Sequence, residues 1–339
     1  MKKLVIDFLA IVFAALSVGT ASAQENFFAG KTIRVVVGFS AGGGFDTYSR
    51  TIARHMGKHV PGHPTVVVEN MTGAGSIVAA NHLYRVAKPD GLTIGNFHGF
   101  QVLNAVLGAK GIEFDPRKFE WLGVPVKDTG ACALTKASGI TSIDQWRRAG
   151  TPVKLGGVGP GDASYGMARV LKEVLGLPVQ PIPGYKGTAE IKLASESGEL
   201  AGGCWQWESI KVMWRAGLDA GDVSMAIQLV AKSHPELTKV PLASSLAKDE
   251  ESRLLLQAAV YDPNSITRPY SLPPNVPKAR VKLLQKAFAD TMKDPDFLAD
   301  AKRTRLDLDP VTGDEVEKTV DRFYKLPPAL LARLKEVLK

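Results

Sequence analysis

The chain has 339 residues, 42 of them Lys or Arg and 34 of them Asp or Glu, which gives a formal net charge of +8 at pH 7. The basic residues are dispersed, with no run of five or more, whereas nucleic-acid-binding proteins concentrate their positive charge. We therefore predict no nucleic-acid partner and a solvated surface with mild attraction for anions. The sequence has no CxxC, HExxH or calcium-loop pattern, so we predict no metal and no cofactor.

The first 23 residues have the three parts of a secretory signal. Lys2 and Lys3 form a basic start, residues 8–18 are apolar, and residues 21–23 are Ala-Ser-Ala, an A-x-A cleavage pattern. The apolar run is shorter than the roughly 20 residues that a membrane-spanning helix needs. We expect cleavage near Ala23 and export to the periplasm. The 316 residues that would remain are enough for about two domains.

A strand, a glycine loop and a helix follow one another in residues 31–56. Residues 33 and 35–37 are β-branched, residues 38–44 are Gly-Phe-Ser-Ala-Gly-Gly-Gly, and Tyr48, Ile52 and Met56 recur at helical spacing. A glycine loop that leads into a helix N-terminus is a typical anion site in α/β proteins. The helix could be capped by Asp46 or Thr47. A connecting turn rich in glycine is the alternative, but three consecutive glycines favour a binding loop.

The same arrangement recurs three times along the chain. Residues 65–69, 153–158 and 179–182 are apolar strands, and each leads into a polar loop with glycine: NMTGAGS, GPGDAS and PGYKGT. Residues 92–97 and 202–207 predict a further strand in each domain, and residues 225–231 the return to the first domain. Ligands of such sheets lie beyond the carboxyl ends of the strands, so the two loops of the first domain should open on one cleft. The second domain would add two more helix N-termini, and four of them facing one cleft would offer N–H groups to an anion without a buried cation.

Six stretches of the sequence resemble, in order, the solute-binding receptors of tripartite tricarboxylate transporters. They are GFSAGGGFDTYSR, VVVENMTGAGSIVAA, AKPDGLTIG, GVGPGDASY, PGYKGTAEIKLASESGELAGG and KDPDFLADAKRTRLDLDP. The resemblance implies an α/β, periplasmic-binding-protein-like fold with two domains, each a mainly parallel sheet flanked by helices, and a ligand cleft between them. It also implies a monomeric receptor that binds a small organic carboxylate, passes it to the permease subunits of a transporter and is not an enzyme.

Carried over to this sequence, the family's ligand loops predict binding residues in both domains. In the first domain they are Ser40, Gly42, Gly43, Gly44, Asp46, Thr72, Gly73, Ala74, Gly75 and Ser76. In the second domain they are Gly159, Asp162, Ala163, Ser164, Tyr185, Gly187 and Thr188. We place residues 24–126 and 228–339 in the first domain and residues 127–227 in the second, with hinge closure near residues 125 and 228.

Three further residues are candidates for ligand contact. His98 follows a predicted strand end, where it is either a ligand contact or a solvated loop histidine. Trp205 and Trp207 would share one face of a strand, either in the core or along the cleft. Together with Phe97 and Phe100 they could put aromatic surface near the cleft. We therefore hypothesise an aromatic or apolar-bodied carboxylate as an alternative to citrate.

The main alternative function is a serine esterase. Residues 38–42 spell G-x-S-x-G, the nucleophile elbow of α/β-hydrolases, with Ser40 as the nucleophile. In that fold several strands precede the serine, whereas Ser40 would lie about 17 residues into the exported chain. Nucleotide binding lacks both G-x-G-x-x-G and a Walker lysine. An oxidising compartment also permits a disulfide between Cys132 and Cys204, which spacing alone cannot establish.

Overall fold

The computed structural model describes residues 27–339, so the predicted signal segment lies outside the described residues. Within this range the chain forms a six-stranded and a five-stranded sheet. The strands are β1 (Thr32–Val37), β2 (Thr65–Asn70), β3 (Thr93–Asn96), β4 (Glu120–Val124), β5 (Gly130–Thr135), β6 (Val153–Gly156), β7 (Val179–Ile182), β8 (Gly202–Gln206), β9 (Val223–Leu229), β10 (Tyr270–Leu272) and β11 (Val311–Thr312).

Helices cover both sheets and supply most connections between strands. They are α1 (Gly44–Met56), α2 (Ile77–Arg85), α3 (Phe100–Val106), α4 (Ile143–Arg147), α5 (Ala163–Glu173), α6 (Thr188–Glu196), α7 (Trp207–Met213), α8 (Arg215–Ala220), α9 (Glu250–Leu256), α10 (Asp262–Ser265), α11 (Lys278–Thr291), α12 (Pro295–Thr304), α13 (Gly313–Phe323) and α14 (Pro328–Val337). A π-helical turn (Gln257–Tyr261) joins α9 to α10, and 3-10 turns lie at Gly57–His59, Ala74–Ser76, Pro116–Lys118, Lys136–Ser138, Pro235–Leu237 and Ala243–Leu246. Among residues 27–339, none of the helices combines the length and apolarity that crossing a bilayer requires.

The first sheet has the strand order β11-β4-β10-β3-β1-β2. β1 is parallel to β2 and to β3, whereas β10 and β11 run antiparallel to their neighbours. Val37 lies opposite Asn70 in β2 and opposite Asn96 in β3, so the three parallel strands end level. The loops after them therefore lie side by side at one edge of the sheet.

The second sheet has the order β7-β6-β8-β5-β9 and is also mixed. β6 is parallel to β7 and β8, while β5 is antiparallel to β8 and β9. Gly156 pairs with Ile182 and with Gly203, so β8 continues beyond the end of β6 and carries Trp205 to the loop edge of the sheet. The predicted two-sheet α/β architecture with flanking helices is confirmed.

The return of the chain to the first sheet comes later than the sequence indicated. Val223–Leu229 form β9 of the second sheet, and the chain re-enters the first sheet only at Tyr270 in β10. A strand's own residues do not specify which sheet it joins, which explains the error. The C-terminal helix α14 packs on α5, whose Arg169 donates to the carbonyl of Val337. The domain boundaries and the hinge positions remain predictions.

A disulfide joins Cys132 in β5 to Cys204 in β8, which are directly opposite each other in the antiparallel pair. Both side chains are 0% exposed and belong to a large apolar core that includes residues of both sheets. The structure thus contains the bond that the sequence only permitted. It cross-links the neighbouring strands β5 and β8, and Trp205 follows Cys204 directly in β8.

Candidate functional site

The loop after β1, residues 38–43, is held in shape by Asp46. One carboxylate oxygen of Asp46 accepts from the N–H of Gly42 at 2.9 Å and from Arg50, and the other accepts from Asn70 at 2.9 Å. Burial raises the pKa of Asp46, but the hydrogen bonds, with that from Arg50 foremost, lower it overall. Asp46 is therefore ionised, and it fixes the first loop through its hydrogen bond to Gly42. The loop ends at Gly43, directly before the N-terminus of α1.

The loop after β2, residues 71–76, has an unusual backbone. Gly73, Ala74, Gly75 and Ser76 all have positive φ, although alanine and serine rarely adopt such values. The Ser76 hydroxyl accepts from the N–H of His98, which fastens this second loop to the segment after β3. Backbone strain of this kind persists only where the surroundings enforce it, and it is concentrated at ligand sites.

Two loops of the second sheet face the first pair. In the third loop, residues 157–162, Asp162 caps helix α5 by accepting from the N–H and hydroxyl of Ser164. Burial raises the pKa of Asp162, against the opposing effect of these hydrogen bonds. The fourth loop, residues 183–187, ends at Gly187, where an added Cβ would lie 2.9 Å from the hydroxyl oxygen of Ser40. The first and fourth loops thus touch across the two sheets.

The four loops enclose two adjoining chambers. The inner chamber, about 30 Å³, is lined by Phe39, Ser40, Gly43, Gly44, Phe45, His98, Val158, Asp162, Ser164, Gly187, Thr188, Trp205, Gln206 and Ser209. The outer chamber, about 260 Å³, is lined by Gly38, Phe39, Thr72, Gly73, Ala74, Gly75, Ser76, Val158, Gly159, Pro160, Tyr185 and Lys186. Phe39 and Val158 belong to both linings and so stand between the chambers. The cleft is closed, because the inner chamber has room for about two water molecules.

The structure brings most of the predicted binding residues to these chambers. Three of them line neither chamber: Gly42, Asp46 and Ala163. Asp46 instead holds the first loop, and Ala163 is the first residue of helix α5, with 5% of its surface exposed. His98 is buried at the inner chamber instead of being solvated. Whether the lining residues contact a ligand remains a prediction.

The aromatic residues at the chambers differ from those that the sequence suggested. Trp205 lines the inner chamber, but Trp207 begins helix α7 and therefore does not follow the alternation of strand β8. Trp207 lines a separate groove, and its indole N–H donates to Glu236. Phe97 packs behind the cleft against Phe119 and other rings. The fourth candidate, Phe100, also lies in this core. Besides Trp205 and His98, the rings of the inner lining are those of Phe39 and Phe45, with centroids 4.5 Å apart.

Residues that the sequence analysis did not identify complete the inner chamber. Gln206 and Ser209 follow directly on Trp205, at the junction of β8 and α7. An added Cβ at Gly44 would lie 2.0 Å from the Ser209 hydroxyl oxygen, so the N-terminus of α1 and helix α7 are in direct contact. The sequence did contain a signal for Gln206, because a glutamine at the end of a buried strand is unusual for a core position.

A buried arginine stands behind the first loop. Arg268 is 0% exposed and donates to one carboxylate oxygen of Asp128 through Nε at 3.0 Å and Nη2 at 2.7 Å. Nη2 also donates to Ser209 at 2.9 Å, and the guanidinium lies over the rings of Phe45 and Tyr48. The expectation of an anion site without a buried cation is therefore wrong. A charge this deep is retained only with such partners.

The ion pair has a third, protonatable neighbour. Glu208 is 1% exposed, and both of its carboxylate oxygens accept from the N–H of Thr129 at 3.0 Å. Burial raises the pKa of Glu208 well above its ordinary value, and the Asp128 carboxylate raises it further. The shift favours the neutral form of Glu208 beside the ion pair of Arg268 and Asp128.

The esterase alternative finds no partner for its nucleophile in the described residues. His98 lines the same chamber as Ser40, but its Nδ1 accepts from the N–H of Phe100 and its Nε2 lies 3.2 Å from the side-chain amide of Gln206. Burial, and secondarily the charge of Arg268, lowers the pKa of His98 to about 3. An imidazole so weakly basic is a poor general base at neutral pH.

One cluster outside the chambers has metal-ligating side chains. Glu208, His234 and Asp307 offer ligand atoms within 4.8 Å of one another. The ammonium of Lys211 pairs with Asp307 at 2.5 Å and with Glu236 at 2.9 Å, so a cation already neutralises this cluster. The cluster therefore carries no functional argument of its own.

Comparison with known sequences finds two relatives, each matched over part of its length. A UPF0065 protein of Bordetella pertussis is 31% identical over 198 residues, which are 56% of this chain and 59% of that protein. A UPF0065 protein from the gbd 5′ region of Cupriavidus necator is 39% identical over 88 residues, 25% of this chain and 26% of that protein. The chain spans less than two thirds of either relative. No family model matches the chain.

Solved structures match nearly the whole chain. The periplasmic binding protein BugD has a TM-score of 0.71 at 22% identity and covers 91% of this chain and 98% of its own. MatC from Rhodopseudomonas palustris, solved with bound malate, has a TM-score of 0.70 at 20% identity and coverages of 92% and 100%. R. palustris Rpa4515, solved with adipate, has a TM-score of 0.71 at 18% identity and coverages of 91% and 97%.

These likenesses establish the fold of a periplasmic solute-binding protein. The fold that the resemblance implied is confirmed, because the structural neighbours include a periplasmic binding protein and extend over almost all of the described chain. One of these neighbours, BugD, is a periplasmic binding protein. The two chambers lie between the sheets, where the loops at the carboxyl ends of the parallel strands meet.

Proposed function

We propose that this protein is an exported receptor that captures a small organic carboxylate between its two sheets and passes it to the permease of a tripartite membrane transporter. The observation that carries the proposal is the pair of chambers between four strand-to-helix loops, two from each sheet. Loops of this kind present backbone N–H groups and helix N-termini, which favour an anion. No turnover is proposed, because Ser40 has no base beside it in the described residues.

The donors around the chambers suit a carboxylate. Hydroxyl groups of Ser40, Thr188 and Ser209 line the inner chamber, and the glycines between them let a ligand approach the backbone. Hydrogen bonds to a charged group contribute roughly 1.5 to 3 kcal/mol each. Three or four of them would hold an anion at about micromolar strength after the costs of association.

Lys186 supplies a positive charge at the outer chamber. It is exposed and lies on the fourth loop, beside Tyr185. A second acidic group on the solute could pair with it there. The neighbours with bound malate and adipate are consistent with small acids as the class of solute. An aromatic acid would have to place its ring in the outer chamber, against Phe39 or Tyr185, because the inner chamber is too small for a ring.

Solute entry requires the sheets to separate, because the described conformation is closed. Gln101 of helix α3 donates to the carbonyl of Gly75 at 2.6 Å and to the carbonyl of Gly161 at 2.9 Å, and thereby joins the second loop to the third. Asn104 donates to the same Gly161 carbonyl at 2.6 Å. We propose that these contacts belong to the closed form and break on opening, as in a hinge motion.

A thermal-shift screen tests the proposal. A ligand that binds only the folded state raises the melting temperature, so the screen should contain malate, adipate, citrate, phthalate and benzoate, each beside its neutral amide. We expect at least one acid to raise the melting temperature and its amide to have no effect. If no acid in a panel of some dozens raises the melting temperature, the carboxylate receptor is the wrong proposal.

A further inference from the structure

Trp205, which lines the inner chamber, carries a buried donor without a partner among residues 27–339. Trp205 is 1% exposed, and its indole nitrogen Nε1 forms no hydrogen bond with any described residue. The indoles of Trp146, Trp207 and Trp214 all donate to protein oxygens. Buried donors are almost always satisfied, so an exception in a native structure calls for an explanation, and an acceptor that is not part of the chain is one.

Packing fixes the orientation of the Trp205 ring. It stacks on Trp214 with centroids 5.3 Å apart and an interplanar angle of 25°. Trp214 is itself held by its hydrogen bond to Glu196 at 3.0 Å. On the other side, Cζ3 of Trp205 lies against Gly203, where an added Cβ would be 2.7 Å away. The ring cannot turn to find another acceptor without disturbing this stack.

We propose that Trp205 contacts the solute directly and donates its indole N–H to a carboxylate oxygen seated in the inner chamber. The inference rests on the proposed function and adds the identity of the group that the innermost subsite accepts. An indole N–H donates only, so the group opposite it must carry a lone pair. A carboxylate satisfies this requirement, whereas an ammonium group would leave the N–H unpaired.

The size of the inner chamber determines how the solute lies. About 30 Å³ holds about two water molecules, which matches one terminal carboxylate and not a carbon chain. The body of the solute then passes Phe39 and Val158 into the outer chamber of about 260 Å³. The solute is therefore bound end-on, with its terminal carboxylate innermost.

A second buried donor without a partner supports an anion at this position. Nη1 of Arg268 forms no hydrogen bond with the described residues and lies 2.9 Å from where Gly44 would carry a Cβ. Gly44 and Ser209, both next to the guanidinium, line the inner chamber. The unpartnered N–H of the guanidinium thus stands directly behind the wall of the chamber, where it adds a second donor and no net charge, because Asp128 balances the charge of Arg268.

Substitution of Trp205 by Phe tests the assignment, because Phe keeps an aromatic ring on Trp214 and removes only the N–H and part of the indole. The matched control is Trp207→Phe, which also loses an indole N–H but lines the separate groove. Calorimetric titration should use the acid that gives the largest shift in the thermal screen. We expect about tenfold weaker binding or more for Trp205→Phe, as for loss of a hydrogen bond to a charged group, and no change for the control.

The parent protein gives a second readout that does not depend on the folding of a variant. In a spectrum of the protein with ¹⁵N-labelled tryptophan, the Trp205 indole signal is identified by its loss in Trp205→Phe, or by elimination with the other four indoles. Addition of the acid should move this signal far more than the Trp207 signal. A signal that stays in place at saturation, or a Trp205→Phe variant that binds as tightly as the parent, overturns the inference while the receptor function stands. If the parent binds no acid, both are wrong.

Discussion

The side-chain amide of Gln101 donates to the carbonyl oxygen of Gly161 at 2.9 Å, and the two residues belong to layers of different sheets. The same amide donates to Gly75 at 2.6 Å, so one buried side chain holds loops from both sheets. Substitution of Gln101 by Leu would leave the Gly75 carbonyl without a donor where the cleft is closed, whereas the Gly161 carbonyl keeps its hydrogen bond from Asn104 at 2.6 Å. Water reaches the Gly75 carbonyl when the cleft opens. An unsatisfied buried group costs about 1 to 3 kcal/mol.

We therefore expect Gln101→Leu to shift the protein toward an open form. The radius of gyration from small-angle scattering without ligand should rise, and solute affinity should fall about tenfold, because binding must then also drive closure. Gln285→Leu is the matched control, since Gln285 donates to the carbonyl of Trp121 within the first sheet's own layers. An equal rise in the radius for both variants would show that Gln101 does not hold the closed form.

A single methyl group at Gly43 should block the inner chamber. Gly43 has a φ of −78°, and an added Cβ would have Ser40 O at 3.5 Å and Thr188 Oγ1 at 3.9 Å as its nearest neighbours. Alanine is thus accommodated without strain, but its methyl group occupies space in a chamber of about 30 Å³. We expect Gly43→Ala to melt like the parent and to bind the solute at least about tenfold more weakly.

Gly150→Ala is the control for this substitution, because nothing lies within 4 Å of its Cβ position and Gly150 lines neither chamber. Calorimetric titration of both variants with the same acid measures the effect. Parent-like affinity of Gly43→Ala would mean that the solute does not enter the inner chamber.

The disulfide between Cys132 and Cys204 should contribute a large part of the free energy of unfolding. It joins residues 72 positions apart, and closing a loop of this length in the unfolded chain corresponds to roughly 4 kcal/mol. Urea unfolding of a variant with both cysteines changed to Ala should show a loss of about that size. Reducing agent should not change the free energy of unfolding of this variant, because it has no disulfide. A loss below about 1 kcal/mol would contradict the entropic account of this cross-link.

Acid should destabilise the protein through His98. Burial, followed by the charge of Arg268, lowers the pKa of His98 from 6.5 to about 3. Between these values the unfolded chain binds a proton that the folded protein does not, so the free energy of unfolding falls as the pH falls. The loss is roughly 1.4 kcal/mol per pH unit below about 6.5.

His98→Gln, which cannot titrate, should remove this dependence. The free energy of unfolding of the variant minus that of the parent should increase by about 2 kcal/mol when the pH falls from 7 to 5. Urea titrations at the two pH values measure this difference. Comparing the two proteins cancels the contributions of the carboxylates that titrate in both. A difference that does not change with pH would show that His98 is accessible to protons in the folded state.

Local signals explain why the loops were predictable from the sequence. The strand that ends at Val37 and the helix that follows Gly44 are each specified by a short pattern, and glycines mark the turn between them. The order of such units implies where the loops meet, because parallel strands with right-handed connections place their carboxyl ends on one edge. The prediction that loops from both sheets face one cleft also needed the resemblance to two-domain receptors.

Tertiary contacts explain what the sequence could not show. Arg268 lies far along the chain from Asp128 and Ser209, and a lone arginine in a loop gives no sign that it is buried. Trp207 was placed on strand β8 because the alternating pattern does not reveal that a helix begins there. The short strands β10 and β11 make the first sheet mixed, and two or three residues are too few for a periodic signal.

Calorimetric titration of the parent protein with the acid selected by the thermal screen, and with the neutral amide of that acid, tests the central claim most directly. The account predicts one site per chain, a dissociation constant of about micromolar strength for the acid, and no detectable heat for the amide. Equal binding of acid and amide, or binding of neither, would contradict the proposal that the loops between the two sheets form a carboxylate site.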